Sequence, residues 1–253
     1  MVLEVKGLTK YFGGLAAVSI LDIHVNQGET VGLIGPNGAG KTTIFNLISG
    51  FLKPTDGMIV FDGKEITGKK PHLIAKFGIG RTFQLVPLLA EFTVIQNMMA
   101  AFHLRPRSSL LGAFLNTPTY RRNEEDILKR SLEILQLMGL NGVRDDLAKN
   151  LPHGYQKMLG MARALATGPK LLLLDEPIGG MHPEEIRFAR SAIEKMQQKG
   201  VSILLVEHNM GIMDLCNRVV AVNFGKKIAE GSLSEVRDNE EVMQAYFGGK
   251  YDS

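Results

Sequence analysis

The sequence predicts an α/β protein with a mainly parallel sheet, an antiparallel β subdomain and an α-helical subdomain insert. Three observations predict it. The short apolar runs "TVGLI" (30–34), "KLLLLDE" (170–176) and "VSILLVEH" (201–208) read as strands buried on both faces. Helical periodicity alternates with the last two, as crossovers between parallel strands require. The first third carries half-buried alternation and a hairpin signal instead.

Taken in order, "LDIHV" (21–25) alternates apolar and polar, the 30–34 strand follows, and helix is sparse in the first third except after Lys41. "MIVFDGKEI" (58–66) reads as a hairpin around Asp62-Gly63. From about Leu85 to Asn150 the pattern turns helical. There "NEEDILKRSLEILQLMG" puts Ile127, Leu128, Leu132, Leu135 and Met138 on one face, and Gly139 stops the helix. A helix over "KMLGMARALATGP" then ends at Gly168-Pro169, and Ile186, Ala189, Ile193 and Met196 mark the face of another. "RVVAVNFGKKIAEG" closes with a hairpin around Phe224-Gly225. The expected division is a core of residues 1–84 and 151–253 that includes the antiparallel part. A helical insert starts at 85–150 and extends into the next helix, to about 165. There is no repeat or low-complexity stretch, and disorder is expected only in the last few residues.

Composition narrows the function. A net charge of +3, with no basic stripe interleaved with aromatics, speaks against a nucleic-acid partner. No run reaches the roughly eighteen apolar residues that span a bilayer, and the amino terminus lacks signal-peptide character, so a soluble chain is expected. A pI of about 8.9 is compatible with work near an anionic membrane face. The single cysteine, Cys216, excludes a disulfide framework; beside Leu215 and Val219 it reads as a packing thiol in a reducing cytoplasm.

"LIGPNGAGKTT" (33–43) satisfies G-x-x-x-x-G-K-[ST] with Gly35, Gly40, Lys41 and Thr42, between a buried strand and a helical pattern. The glycines turn successive amides inward around phosphate oxygens, and the following helix adds its positive end. Lys41 is expected to reach the β- and γ-phosphates, and Thr42 to ligate magnesium. A glycine turn that binds nothing is the alternative, yet chance supplies the four fixed positions in only about one chain of this length in a hundred.

"LLLLDEP" (171–177) delivers two carboxylates to the carboxyl edge of the sheet, Asp175 for the magnesium shell and Glu176 as general base toward water. The pair argues against a nucleotide kinase, which needs no water activator. His208, after the next buried strand, emerges on the same edge within reach of a γ-phosphate; taken alone it is an ordinary strand-end histidine. Gln84, in "RTFQ" (81–84), stands where the β-rich part yields to the insert and can bridge magnesium or water to it. No guanine-reading Asn-Lys-x-Asp motif occurs, which disfavours GTP.

In this order the elements resemble the ATP-binding cassette (ABC) ATPases over nearly the whole chain. The resemblance implies a P-loop NTPase (RecA-like) core working on ATP with Mg²⁺. Phe12 would stack on adenine, and Gly35, Pro36, Asn37, Gly38, Ala39, Gly40, Lys41, Thr42 and Thr43 would hold the phosphates. Gln84 becomes the Q-loop, Asp175 and Glu176 end the Walker B strand, "GGMHP" (179–183) stands at the D-loop, and His208 is the switch histidine. Magnesium would be held by Thr42, Gln84 and Asp175, and catalysis served by Glu176, His208 and Gln84.

The family's signature, usually Leu-Ser-Gly-Gly-Gln, opens a helix that faces ATP bound by a second cassette. Leu151, Pro152, His153, Gly154 and Tyr155 stand in that position. Gly154 keeps a close backbone approach, whereas Pro152 removes a hydroxyl and an N–H. Proline is equally at home at a helix start, so a plain cap fits the stretch as well. The variant resembles the ATPase subunits of branched-chain amino acid importers, as do "YFGGLAAV" (11–18), "RTFQ" and the tail "VMQAYFGG" (242–249).

That branch implies a second ATPase subunit, with a heterodimer favoured over a homodimer, and two integral-membrane permease subunits. A periplasmic solute-binding protein acts indirectly, and the chain sits peripherally on the cytoplasmic face of the inner membrane. Gln84 and the insert are the expected permease contact. A lipopolysaccharide-export ATPase is the same-fold alternative, but would be expected to keep a Leu-Ser-Gly-Gly signature. A soluble non-transport cassette ATPase usually has two cassettes, a coiled coil or zinc cysteines.

Overall fold

The computed structural model describes residues 1–83, 87–103 and 117–247. Gln84 and the tail expected to be disordered lie outside the described residues. The chain forms two compact units, one of Met1–Arg81, Lys170–Glu176 and Met196–Ser253, the other of Thr82–Pro169 and Pro177–Lys195.

The first unit holds two sheets. Strands β1 (Leu3–Phe12), β2 (Leu15–Val25), β4 (Asp56–Phe61) and β5 (Lys64–Glu65) pair antiparallel in the order β2-β1-β4-β5. The β4–β5 turn is Asp62-Gly63, with φ of 49° and 73°, the doubly left-handed pair that a two-residue hairpin demands. The second sheet runs β10-β9-β3-β8-β7-β6, from β3 (Thr30–Ile34), β6 (Ile79–Arg81), β7 (Leu171–Asp175), β8 (Ser202–Val206), β9 (Arg218–Asn223) and β10 (Lys226–Gly231). All its pairs are parallel except β9–β10. Strands β3, β7 and β8 are buried at every residue, which is why their sequences are continuous apolar runs rather than alternating ones.

Helix α1 (Lys41–Ile48) packs into the same core through Ile44, Phe45, Leu47 and Ile48. A second helix, α2 (Pro71–Phe77), lies in the stretch where little helix was expected. Pro71 opens it and Gly78, at φ 111°, ends it, so its signal was punctuation rather than periodicity.

The second unit contains α3 (Val94–His103), α4 (Pro118–Leu137), α5 (His153–Ala166) and most of α6 (Pro183–Gln198). Its first segment runs to Pro169, close to the expected end at about 165, and it takes in Pro177–Lys195 in addition to the expected insert. Thr117 caps α4 by accepting from the Tyr120 amide. Gly139, at φ 72°, ends it in a Schellman turn, with Leu140 N–H on Leu135 O and Gly139 N–H on Gln136 O. One residue of the expected apolar face is displaced: Leu128 is exposed, and Ser131 is buried in the stripe with Leu135 and Met138. A stripe of Ile127, Ser131, Leu135 and Met138 follows the true helical repeat more closely than one through Leu128. Among the described residues no helix is long and apolar enough to cross a membrane.

Candidate active site

The site grows from the carboxyl edge of the second sheet. Leu33 and Asp175 are both in register with Val206, so the chain leaves β3, β7 and β8 at one level. The segments after these strands carry the phosphate loop, Glu176 and His208.

The loop from Gly35 to Gly40 is held without side-chain capping; the cap residue of α1 is Gly40, at φ 101°. A side chain at Gly40 would put its Cβ 2.5 Å from Ala17 O, and one at Gly35 would sit 2.2 Å from Val222 O, so backbone contact itself demands glycine at both places. The Ala39 amide donates to Pro36 O (3.1 Å), and the Gly225 amide in the β9–β10 turn donates to Ala39 O (2.9 Å). Tyr246, in the helix Glu240–Phe247, meets the Gly35 amide, which pulls its phenol down against a larger upward push from burial.

Lys41 is buried and folded back on the loop, its Nζ donating to Gly35 O (2.6 Å) and Pro36 O (3.0 Å). Burial pushes its ammonium below the ordinary lysine value, opposed by the charges of Glu176 and Asp175. Pro36 is half-buried and Ala39 buried; Asn37, Gly38 and Thr42 are exposed, and Thr43 is half-buried.

Asp175 is buried, and burial raises its carboxyl above the usual range while Arg81 opposes that rise. Arg81 Nη2 lies 3.1 Å from Asp175 Oδ2. Glu176 follows at φ 46°, an uncommon left-handed backbone for an acidic residue, with its amide on Val206 O (2.9 Å). Its Oε1 is 3.6 Å from His208 Nε2. The His208 amide donates to the buried Glu207 carboxylate (3.0 Å), and Asn209 caps the short α7 (Met210–Met213) through the Gly211 amide, so side chains on both sides of His208 set the turn.

Lys41, Asp175, Glu176 and His208 thus come together as expected. Phe12 stands at the end of β1, half exposed, with the Lys10 ammonium 5.2 Å from its ring centre. Sequence reading missed Arg81, although an arginine closing the buried strand "GIGR" must find a partner. The Q-loop position, Gln84, lies outside the described residues.

Leu151, Pro152, His153, Gly154 and Tyr155 belong to the second unit. Pro152 is the cap residue of α5 and makes no side-chain cap bond; Gln156 instead donates its side-chain amide to Leu151 O (2.9 Å). A Cβ on Gly154 would lie 2.3 Å from the Glu185 carboxyl carbon, and one on Gly180 3.5 Å from the His153 ring. Glu185 also accepts from the His182 amide (2.9 Å), a helix-start pattern legible in His182-x-x-Glu185. Gly154 therefore has a packing reason within its own chain for lacking a side chain.

The ABC transporter family profile matches residues 18–179, and that of the branched-chain amino acid ATP-binding cassette transporter matches 226–252. The chain is 39% identical over 249 residues to the high-affinity branched-chain amino acid transport ATP-binding protein BraF of Pseudomonas aeruginosa, covering 98% of each chain. Identity to the corresponding protein LivG of Escherichia coli K12 is also 39%, with the same coverage. Among solved structures, a nucleotide-free ATP-binding cassette from an ABC transporter superposes with a TM-score of 0.84 at 32% identity, covering 98% of this chain and 99% of that one. The ADP conformation of an ABC transporter cassette gives 0.84 at 33%, covering 98% of each. With its phosphate loop, paired carboxylates and histidine on one sheet edge, this chain belongs to the ABC transporter ATP-binding cassettes, as an ATPase of the branched-chain amino acid group.

Proposed function

We propose that this ATPase hydrolyses MgATP to power branched-chain amino acid uptake through two separate integral-membrane permease subunits, at the cytoplasmic face of the inner membrane. The observation that carries the mechanism is the convergence of Lys41, Asp175, Glu176 and His208 on one sheet edge. The match of residues 226–252 to the branched-chain group, and the names of the full-length relatives, support the solute.

Lys41 neutralises phosphate charge; its present contacts to Gly35 O and Pro36 O keep the ammonium in the loop until phosphate oxygens compete for it. The hard oxygen donors Asp175 and Thr42, with Gln84, fit a magnesium ion bound mainly through phosphates. Such an ion, held by Asp175, Thr42 and Gln84, would neutralise charge that develops on the phosphates. Glu176 takes the proton of the attacking water, and His208, 3.6 Å away, orients the carboxylate and the γ-phosphate. Phe12 offers its exposed face to adenine.

The 151–155 segment completes ATP bound by a second ABC ATPase subunit, preferentially a different one, because Pro152 offers neither hydroxyl nor amide. Gln84 and the insert that follows it form the permease contact. Buried Asn97 ties down residues 89–93 through Leu89, Phe92 and Thr93 backbone groups, and the Leu89 and Phe92 side chains are exposed. The periplasmic solute-binding protein acts only through the permease.

Reconstitution with the permease pair and second ATPase in liposomes tests the reading. Binding-protein-dependent uptake of labelled leucine, isoleucine or valine is expected with ATP inside, and is lost with Glu176→Gln. Transport of an unrelated solute, or uptake untouched by that substitution, overturns it.

A further inference from the structure

We infer that Arg81 is a positioning residue for the magnesium carboxylate, holding Asp175 through Oδ2 and so fixing the orientation of its carboxylate at the end of β7. This rests on the magnesium reading above. Residues from β7 and from the end of α1 fix the guanidinium. Its Nη2 binds Asp175 at 3.1 Å at the end of β7, and its Nη1 donates to Asn46 Oδ1 and Ser49 Oγ, both at 2.7 Å, at the end of α1. Its carbon lies 5.7 Å from the ring centres of both Phe45 and Phe51. Ser49 is itself fixed, donating to Phe45 O at 2.6 Å.

Both partners of the ion pair are buried, with side chains 7% and 5% exposed. The planar fork binds the carboxylate and α1 at once, which a lysine ammonium, a single point charge, does not reproduce. The helix it grips begins with Lys41 and Thr42, so one guanidinium ties the metal carboxylate to the element that carries another proposed ligand, Thr42. The first unit also ends at Arg81 and again at Glu176, so the pair joins β6 and β7 where the chain leaves the unit.

The test measures Mn²⁺ affinity of ATP-loaded protein by electron paramagnetic resonance, beside ATP affinity in EDTA. For Arg81→Met, ATP affinity in EDTA is expected to stay at the wild-type level while Mn²⁺ affinity falls ~10–100-fold, the usual loss for an outer-shell partner of a metal ligand. Arg81→Lys should lose Mn²⁺ affinity in the same direction, since charge alone does not replace the fork. Wild-type Mn²⁺ affinity in Arg81→Met makes the residue merely structural and overturns the inference. If Arg81→Met fails to bind ATP in EDTA, Arg81→Lys decides, and unchanged Mn²⁺ affinity there overturns it equally. A wild-type chain that binds ATP but no Mn²⁺ refutes the magnesium reading itself, and this inference with it.

Discussion

Glu176 sits at φ 46°, a conformation that costs an L-residue about 1–2 kcal/mol and costs glycine nothing. Such strain persists where the position of the side chain matters, here at the end of β7 facing His208. Glu176→Gly should therefore raise the stability measured in urea by about 0.5–1 kcal/mol, after allowing for the looser unfolded chain, while hydrolysis disappears. Glu176→Gln keeps the strain; its stability should stay near wild type, and single-turnover phosphate release should fall by at least ~10²–10³. A glycine variant no more stable than the glutamine one would remove the strain argument. Cys216 answers a different question. Burial, and then the charge of Asp214, push its thiol from 9.0 up to about 12, so it is protonated and unreactive near neutral pH, in keeping with the packing role read from the sequence. The folded state keeps the proton that the unfolded chain sheds, so the contribution is full below pH 9 and declines by about 1.4 kcal/mol per pH unit up to about 12. Between pH 8.5 and 10.5 the wild type should lose about 2 kcal/mol more than Cys216→Ala in urea titrations.

At the scale of elements, α4 shows how far periodicity reads. Its existence, its glycine stop and most of its face follow from spacing, yet Leu128 is exposed while Ser131 is buried. Apolar residues fitted to a 3.6-residue repeat leave two neighbouring faces open, and only the packing partners choose between them. The Ser131 hydroxyl is buried with no hydrogen-bond partner among the described residues. Ser131→Ala is accordingly expected to stabilise by about 1 kcal/mol, seen as a higher urea midpoint at unchanged slope. A loss of stability would reveal a partner for the hydroxyl. Helix α2 marks the opposite case: it is too short for a periodic signal, and only Pro71 and Gly78 announce it.

For the whole molecule, the two units separate the chemistry as they separate the chain. Residues 35–43, Asp175, Glu176 and His208 lie in the first unit, and residues 151–155 lie in the second. A half-site supplied by a partner is worth roughly 10³–10⁵ in rate where an arginine finger completes phosphoryl transfer, so under the proposed function a change at Pro152 is expected to alter the partner's turnover rather than this chain's own. Gel filtration of Glu176→Gln with ATP and magnesium should show a monomer when the chain is alone. It should show a dimer when a second ATPase with a serine-bearing signature is added. A homodimer formed alone would return the proline signature to full competence. By itself the sequence determined the parallel core, the phosphate loop and the carboxylate pair, because continuous apolar runs and fixed spacings are local properties that need no partner to be read. Only the tertiary structure decided that Arg81 holds Asp175 across 94 residues of chain, and that Glu185 packs on Gly154. A buried charge must find a counter-charge, but which one it finds depends on how the strands and helices are stacked.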